Sequence, residues 1–152
     1  MAKLKEGDKA PDFKGITTTG REVSLSDYVD KKLVLYFYPK DNTSGCTAEA
    51  CSLRDGYSEL KAAGFEVLGV SPDSVASHRK FTDKQSLPFE LLSDGDHTTA
   101  EAYGCWGLKK FMGREYMGML RTTFVISRGV IERIFDKVKT KEHFNQIMDS
   151  YK

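Results

Sequence analysis

Of the chain's three cysteines, Cys46 and Cys51 stand close together in one stretch and Cys105 lies far downstream. A thiolate can attack electrophiles, climb an oxidation ladder, exchange with disulfides or bind metal, so the setting of each thiol decides which chemistry is open to it. Cys46 follows Asp41-Asn42-Thr43-Ser44-Gly45, a run of turn and cap residues, and apolar side chains then recur at Ala50, Leu53, Tyr57 and Leu60. That is one helical stripe behind a polar start. It puts Cys46 in the first turn on the buried side, where unpaired backbone amides and the positive end of the helix dipole favour thiolate over thiol. Cys51 lies about 140° further round the same helix. Cys105, between Gly104 and Trp106, reads as a packed or partly exposed free thiol. Zinc needs three or four ligands, usually with paired close spacings. His78, His97 and His143 are scattered singly, so the sequence calls for no metal and no cofactor.

The elements that position these thiols can be read on either side. Leu33 to Tyr38 is a continuous apolar run of β-favouring residues, as in a strand covered on both faces, and Pro39 then removes a ladder donor and ends it. After the Cys46 helix, Ala63-Gly64 supplies a stop and Phe65 to Ser71 forms a second strand, completing a parallel βαβ unit. Asp73-Ser74 caps a helix to about Gln85, Leu87 to Leu92 is extended, and Thr98 to Tyr103 is a short helix stopped by Gly104. Cys105 to Leu120 is apolar but irregular, and reads as a long packed loop. Arg121 to Ile126 and Val130 to Phe135 flank Arg128-Gly129 as a tight hairpin, and Lys141 to Tyr151 closes the chain as an amphipathic helix. Near the start, Phe13 to Ile16 and Arg21 to Leu25 make an amino-terminal hairpin, with Ser26 to Asp30 turning into the main strand.

With 152 residues, 39% of them hydrophobic, the chain suits one domain over 1–152 with a sizeable core. Lysine plus arginine number 23 against 22 acidic residues. A net charge of +1 gives no general basic footprint for nucleic acid or an anionic membrane, and the lysines at 109, 110, 137, 139 and 141 read as solvated faces. No apolar run is long enough to span a bilayer. Met1 to Asp8 lacks the apolar core of a secretory signal, so the expected compartment is the cytoplasm, where three cysteines point to redox or metal chemistry more than to a disulfide framework.

Pro39-x-x-x-Thr43-x-x-Cys46 resembles the active-site signature of the peroxiredoxins, and Gly45-Cys46-Thr47-x-Glu49-Ala50-Cys51 is similar to the bacterioferritin comigratory protein, or peroxiredoxin Q, branch. The likeness also takes in Lys5-x-Gly7-Asp8-x-Ala10-Pro11-Asp12-Phe13, Leu87-Pro88-Phe89-x-Leu91-Leu92-Ser93-Asp94 and Arg121-x-Thr123-Phe124, in that order. Ser44 stands where the branch often has proline. The resemblance implies an α/β thioredoxin-like fold, a central mixed sheet flanked by helices with an N-terminal hairpin, which is also the element order read above. It further implies a thiol-dependent peroxidase acting on hydrogen peroxide and organic hydroperoxides. In that reading Cys46 is oxidised to a sulfenic acid, Thr43 bonds the peroxide, Arg121 holds the thiolate and the developing charge, and Pro39 shapes the loop over the thiol. Glu49 supports the loop through arginine or backbone contacts. Cys51 resolves the sulfenic acid as an intramolecular disulfide, a thioredoxin-like dithiol recycles it, Cys105 is dispensable, and the chain is a monomer with no nucleic-acid or membrane partner. Two rivals share these residues. A thioredoxin-type disulfide oxidoreductase would need Cys-x-x-Cys and a proline where Arg121-Thr122-Thr123 stands; a peroxide-sensing redox protein would be oxidised once, without turnover. Residues five apart on an intact helix have Cα atoms about 8.7 Å apart, beyond the roughly 7 Å a disulfide allows, so pairing Cys46 with Cys51 requires the helix start to unwind.

Overall fold

In the computed structural model, which describes residues 4–152, the run read as a doubly covered strand is β3 (Lys32–Phe37) and sits near the middle of a seven-stranded sheet. Residues 1–3, part of the segment read for a leader, lie outside the described residues. The other strands of this sheet are β1 (Lys14–Thr17), β2 (Glu22–Ser24), β4 (Phe65–Ser71), β5 (Glu90–Ser93), β8 (Thr122–Ser127) and β9 (Val130–Phe135), in the order β2-β1-β5-β4-β3-β8-β9. β3 runs parallel to β4 and antiparallel to β8, with Leu35 facing Leu68 on one side and Phe124 on the other. Side chains alternate across a strand, and here both sets are buried. Leu33, Leu35 and Phe37 enter one apolar cluster with Phe13, Leu68, Tyr103 and Phe124. Val34, Tyr36 and Tyr38 enter the other with Cys46, Leu53, Leu60, Phe81 and Ile147. Each such side chain taken fully out of water contributes roughly 1.5–3 kcal/mol, which is why the strand after Lys32 is built of aliphatic and aromatic residues. The arrangement is the mixed, helix-flanked sheet with an N-terminal hairpin expected of a thioredoxin-like fold.

The helical stripe from Cys46 to Leu60 is not one helix. α1 (Ser44–Asp55) ends at Gly56 and α2 (Tyr57–Ala62) begins beyond it, with Tyr57 only half-buried. Gly56 is there for packing: a Cβ at that position would run into the ring of Phe144 on the last helix, α5 (His143–Asp149). The Phe144 N–H also donates to Ser52 Oγ at 3.0 Å, fixing α5 to α1. α3 (Val75–Gln85) matches its expected span, with Ser74 Oγ accepting from the Ser77 N–H as its cap, and α4 (Thr98–Ala102) stops before Gly104, which takes φ +71°.

Three further expectations need correction. Cys105 to Leu120 is not a packed loop but a two-stranded ribbon, β6 (Trp106–Phe111) with β7 (Arg114–Met119), joined through Met112 and Gly113 at φ 51° and 78°. Left-handed backbone at both turn residues is the signature of a tight hairpin. The ribbon projects Leu108, Tyr116 and Met117 into solvent, so it lacks the apolar-in, polar-out alternation by which a strand is recognised. The extended stretch Leu87 to Leu92 pairs only over β5. The C-terminal helix is shorter than Lys141 to Tyr151, because Thr140–Glu142 is a 3-10 turn ahead of α5. No helix among the described residues is long and apolar enough to cross a membrane.

Candidate active site

β3 delivers the chain to the start of α1, and β8 delivers the charge. In the β3–β8 register Phe37 faces Thr122, so Arg121, one residue earlier, stands beside the point where β3 gives way to the α1 cap. Its fork spans two acceptors: Nη2 donates to Cys46 Sγ at 3.2 Å and Nη1 to Glu49 Oε1 at 2.6 Å. Gly45 admits the guanidinium, since a Cβ there would lie 3.3 Å from Arg121 Nη2. Thr43 is the N-cap residue of α1 in extended backbone, but its hydroxyl makes no cap bond and instead donates to the Lys40 carbonyl at 2.9 Å. The first-turn amides beside Cys46 therefore keep their polarity for the thiol. Pro39 is half-buried on the turn between Tyr38 and this cap.

Cys46 is 1% exposed, so what reaches its sulfur must be small or enter end-on. Glu49 is fully buried, and burial lifts its carboxyl to about 7 even though Arg121 pulls it down. Burial lowers the Arg121 guanidinium's proton affinity, yet Glu49 and Cys46 together more than reverse this and leave it raised. Lys109, on β6, is not a solvated lysine: it is half-buried with Nζ on the Met119 carbonyl at 2.9 Å. Its ammonium is lowered by burial and by Arg121, against the pull of Cys46.

Cys51 points elsewhere. Its Sγ lies 3.4 Å from Gln85 Oε1 at the end of α3, where Arg54 Nη1 also donates to the Gln85 carbonyl at 2.7 Å. All three thiols are free, and with Cys46 and Cys51 both inside α1 the two sulfurs are held apart. Cys105 is buried, donates to the Tyr103 carbonyl at 3.6 Å, and has its thiol pushed up to about 12 by burial. It is packed, not partly exposed.

The chemistry-bearing residues that periodicity and spacing did not flag are behind the cap. Tyr38 Oη and Ser77 Oγ donate to Asp41 at 2.7 and 2.8 Å, His78 Nδ1 lies 2.8 Å from the same carboxylate, and the Asp41 N–H donates to Asp73 Oδ2 at 2.7 Å. This network ties the loop after β3 to α3. Asp41, Asp73 and His78 have ligand atoms within 4.8 Å of one another, the spacing of a metal site, but the Asp41 oxygens already take bonds from three side chains.

A model of the AhpC/TSA family matches residues 6–134. The chain is 47% identical to peroxiredoxin Bcp of Bacillus subtilis strain 168 and 45% identical to peroxiredoxin Bcp of Escherichia coli K12, in each case over 98% of this chain and 96% of the relative. It superposes on the crystal structure of Xylella fastidiosa PrxQ with a TM-score of 0.92 at 31% identity, covering 99% of this chain and 97% of that one. With the family match running over most of the chain and the relatives similar from end to end, the chain belongs to the AhpC/TSA family, in its Bcp or peroxiredoxin Q branch.

Proposed function

We infer that the chain is a thiol-dependent peroxidase that reduces hydroperoxides at Cys46. The observation that carries this is the Arg121 fork, which fixes a cation at 3.2 Å from a buried sulfur at a helix N-terminus. A hydroperoxide ROOH meets the thiolate with its terminal oxygen. The S–O bond forms as the O–O bond breaks, and the departing RO⁻ takes a proton to leave as alcohol or water, while Cys46 becomes a sulfenic acid. Arg121 supports this step because it is already aimed where charge sits at the start and moves during displacement. Thr43 is assigned to the peroxide: its hydroxyl, now on the Lys40 carbonyl, is beside the cap and can turn to the incoming oxygen. Pro39 is assigned to shaping the half-buried turn over the thiol.

Cys51 is assigned as the resolving thiol. It attacks the sulfenic sulfur, water leaves, and the resulting disulfide is reduced by exchange with a thioredoxin-like dithiol. The same reading takes residues 1–152 as one cytoplasmic domain acting as a monomer, with no nucleic-acid or membrane partner, in support of which the charge is nearly balanced. The test is peroxide consumption over many cycles with thioredoxin, thioredoxin reductase and NADPH, on hydrogen peroxide and on an alkyl hydroperoxide. Turnover that vanishes in Cys46→Ser supports the reading. A single oxidation without turnover would make the protein a sensor instead.

A further inference from the structure

Glu49 has one oxygen on Arg121 and one with nothing to bond. Its Oε2 is buried and has no hydrogen-bond partner among the described residues. The atom facing it is His143 Nε2 at 3.5 Å, at the start of α5, fully buried and 2.8 Å from Thr123 Oγ1.

The state of that imidazole follows from its other nitrogen. His143 Nδ1 lies 3.0 Å from Gln146 Oε1. The Gln146 amide is fixed in orientation, because its Oε1 accepts from the Lys139 N–H at 3.1 Å and its Nε2 donates to the Lys137 carbonyl at 2.9 Å. An oxygen therefore faces Nδ1, so Nδ1 must carry the hydrogen. Burial holds the ring neutral, with its titration lowered to about 4. Nε2 is then the accepting nitrogen, with one lone pair between two neighbours, the Thr123 hydroxyl at 2.8 Å and Glu49 Oε2 at 3.5 Å. A carboxylate there would set a buried anion against a lone pair with no donor in reach. A carboxylic acid would set an O–H against an acceptor, and a shift of roughly half an ångström, with the Thr123 hydroxyl turning its hydrogen away, would bring the two into bonding range.

We propose that His143 is a positioning residue of the peroxidase site, whose Nε2 receives the hydrogen of a protonated Glu49 and so leaves Arg121 with the Cys46 thiolate as its single anionic partner. The proposal rests on the peroxidase reading for its purpose, though not for its geometry. With Glu49 ionised, two anions share one cation; with Glu49 neutral, the thiolate has that cation to itself. The groups facing Glu49 from each packed element agree with this balance. Tyr36 on β3 is held well above the usual phenol range, by burial first and then by Glu49, and stays neutral. Arg121 ahead of β8 is the cation, His143 on α5 is neutral, and Lys109 on β6 lies beyond Arg121.

The experiment uses the full-length reduced protein and no peroxide, so a failure of turnover and a failure of this inference are separate results. Infrared difference spectra, with the carboxyl band assigned by Glu49→Gln, are expected to show Glu49 protonated at pH 6. In His143→Leu its proton affinity is expected to fall about fivefold, the worth of one net hydrogen bond. Alkylation of Cys46 by iodoacetamide at that pH is expected to slow in His143→Leu, and to be unaffected by the same change made in a Glu49→Gln background. Nitrogen-15 NMR of the wild type, which needs no variant to fold, is expected to show the His143 ring neutral with hydrogen on Nδ1. Hydrogen on Nε2, an ionised Glu49 at pH 6, or an equal His143 effect in both backgrounds would overturn the proposal.

Discussion

Arg121 divides its fork between a sulfur and a carboxylate, and the two bonds are not interchangeable. Removing the guanidinium leaves Cys46 without its nearest cation and leaves Glu49 buried beside nothing charged. Arg121→Ala is therefore expected to keep the fold and to slow the single-turnover reaction with peroxide by at least tenfold, since one charge-assisted bond is worth about 1.5–3 kcal/mol. Stopped-flow tryptophan fluorescence against peroxide concentration checks this, and an unchanged rate would remove Arg121 from the site. Cys105 lies at the opposite extreme. Its thiol is buried, tied to the Tyr103 carbonyl and pushed up to about 12, so it offers almost no thiolate. Cys105→Ser is expected to turn over normally with thioredoxin; a mass-mapped disulfide between Cys46 and Cys105 in the oxidised protein would reverse the assignment of the resolving thiol.

At the scale of elements, α1 is built to hold two thiols apart and to let go at one end. Its start is held by the Arg121 bond to Cys46 and by burial of Cys46 and Ala50, while its later half is fixed by Arg54 and Cys51 on Gln85, by Ser52 under Phe144, and by Gly56 against the Phe144 ring. Formation of the Cys46–Cys51 disulfide is expected to speed amide exchange from Thr43 to about Cys51 and to leave β3 and β4 protected. Equal exchange across that segment in the reduced and oxidised proteins, with the disulfide confirmed by mass, would exclude unwinding. Gly56→Ala tests the other end. Its φ of −98° suits alanine, so only the collision with Phe144 remains, and a loss of about 1–3 kcal/mol in urea unfolding is expected. Much of this was legible beforehand, because β3, β4, α3 and the β8–β9 hairpin bury whole faces and announce them by period. β6–β7 was not, since most of its length is exposed and its apolar side chains Leu108, Tyr116 and Met117 face solvent, leaving no period to read. Nor was Gly56 as a break, because its reason lies in Phe144, far away in the chain. Cys46 stood out by type and spacing, Thr43 and Arg121 only through the family resemblance, and the structure brings Cys46 and Arg121 together. Glu49 was expected to support the loop through arginine or backbone contacts, and it is on Arg121. Its full burial and its facing of His143 were not visible, since a lone carboxylate and a lone histidine carry no pattern.

For the molecule as a whole, Glu49 and His143 make opposing contributions to stability. Glu49 is raised from 4.5 to about 7, so the folded state binds a proton the unfolded chain has released. Its contribution is complete below pH 4.5 and is lost as pH rises towards 7, by about 3 kcal/mol. His143 is lowered from 6.5 to about 4, so its contribution is complete above pH 6.5 and is lost as pH falls towards 4, by about the same amount. The two nearly cancel. Urea midpoints for the wild type are expected to vary little between pH 4.5 and 6.5, those of Glu49→Gln to rise with pH, and those of His143→Leu to fall; parallel slopes in all three would refute this pairing. The clasp of Phe144 on α1 has a further consequence, in the order of synthesis. Ser52 and Phe144 are 92 residues apart, and at the ordinary pace of translation that interval lasts roughly 5–20 s. Through that time both α1 thiols exist on a nascent chain whose last helix has not been made, and a chain that stalls before Thr140 carries α1 without the clasp that fixes its later half.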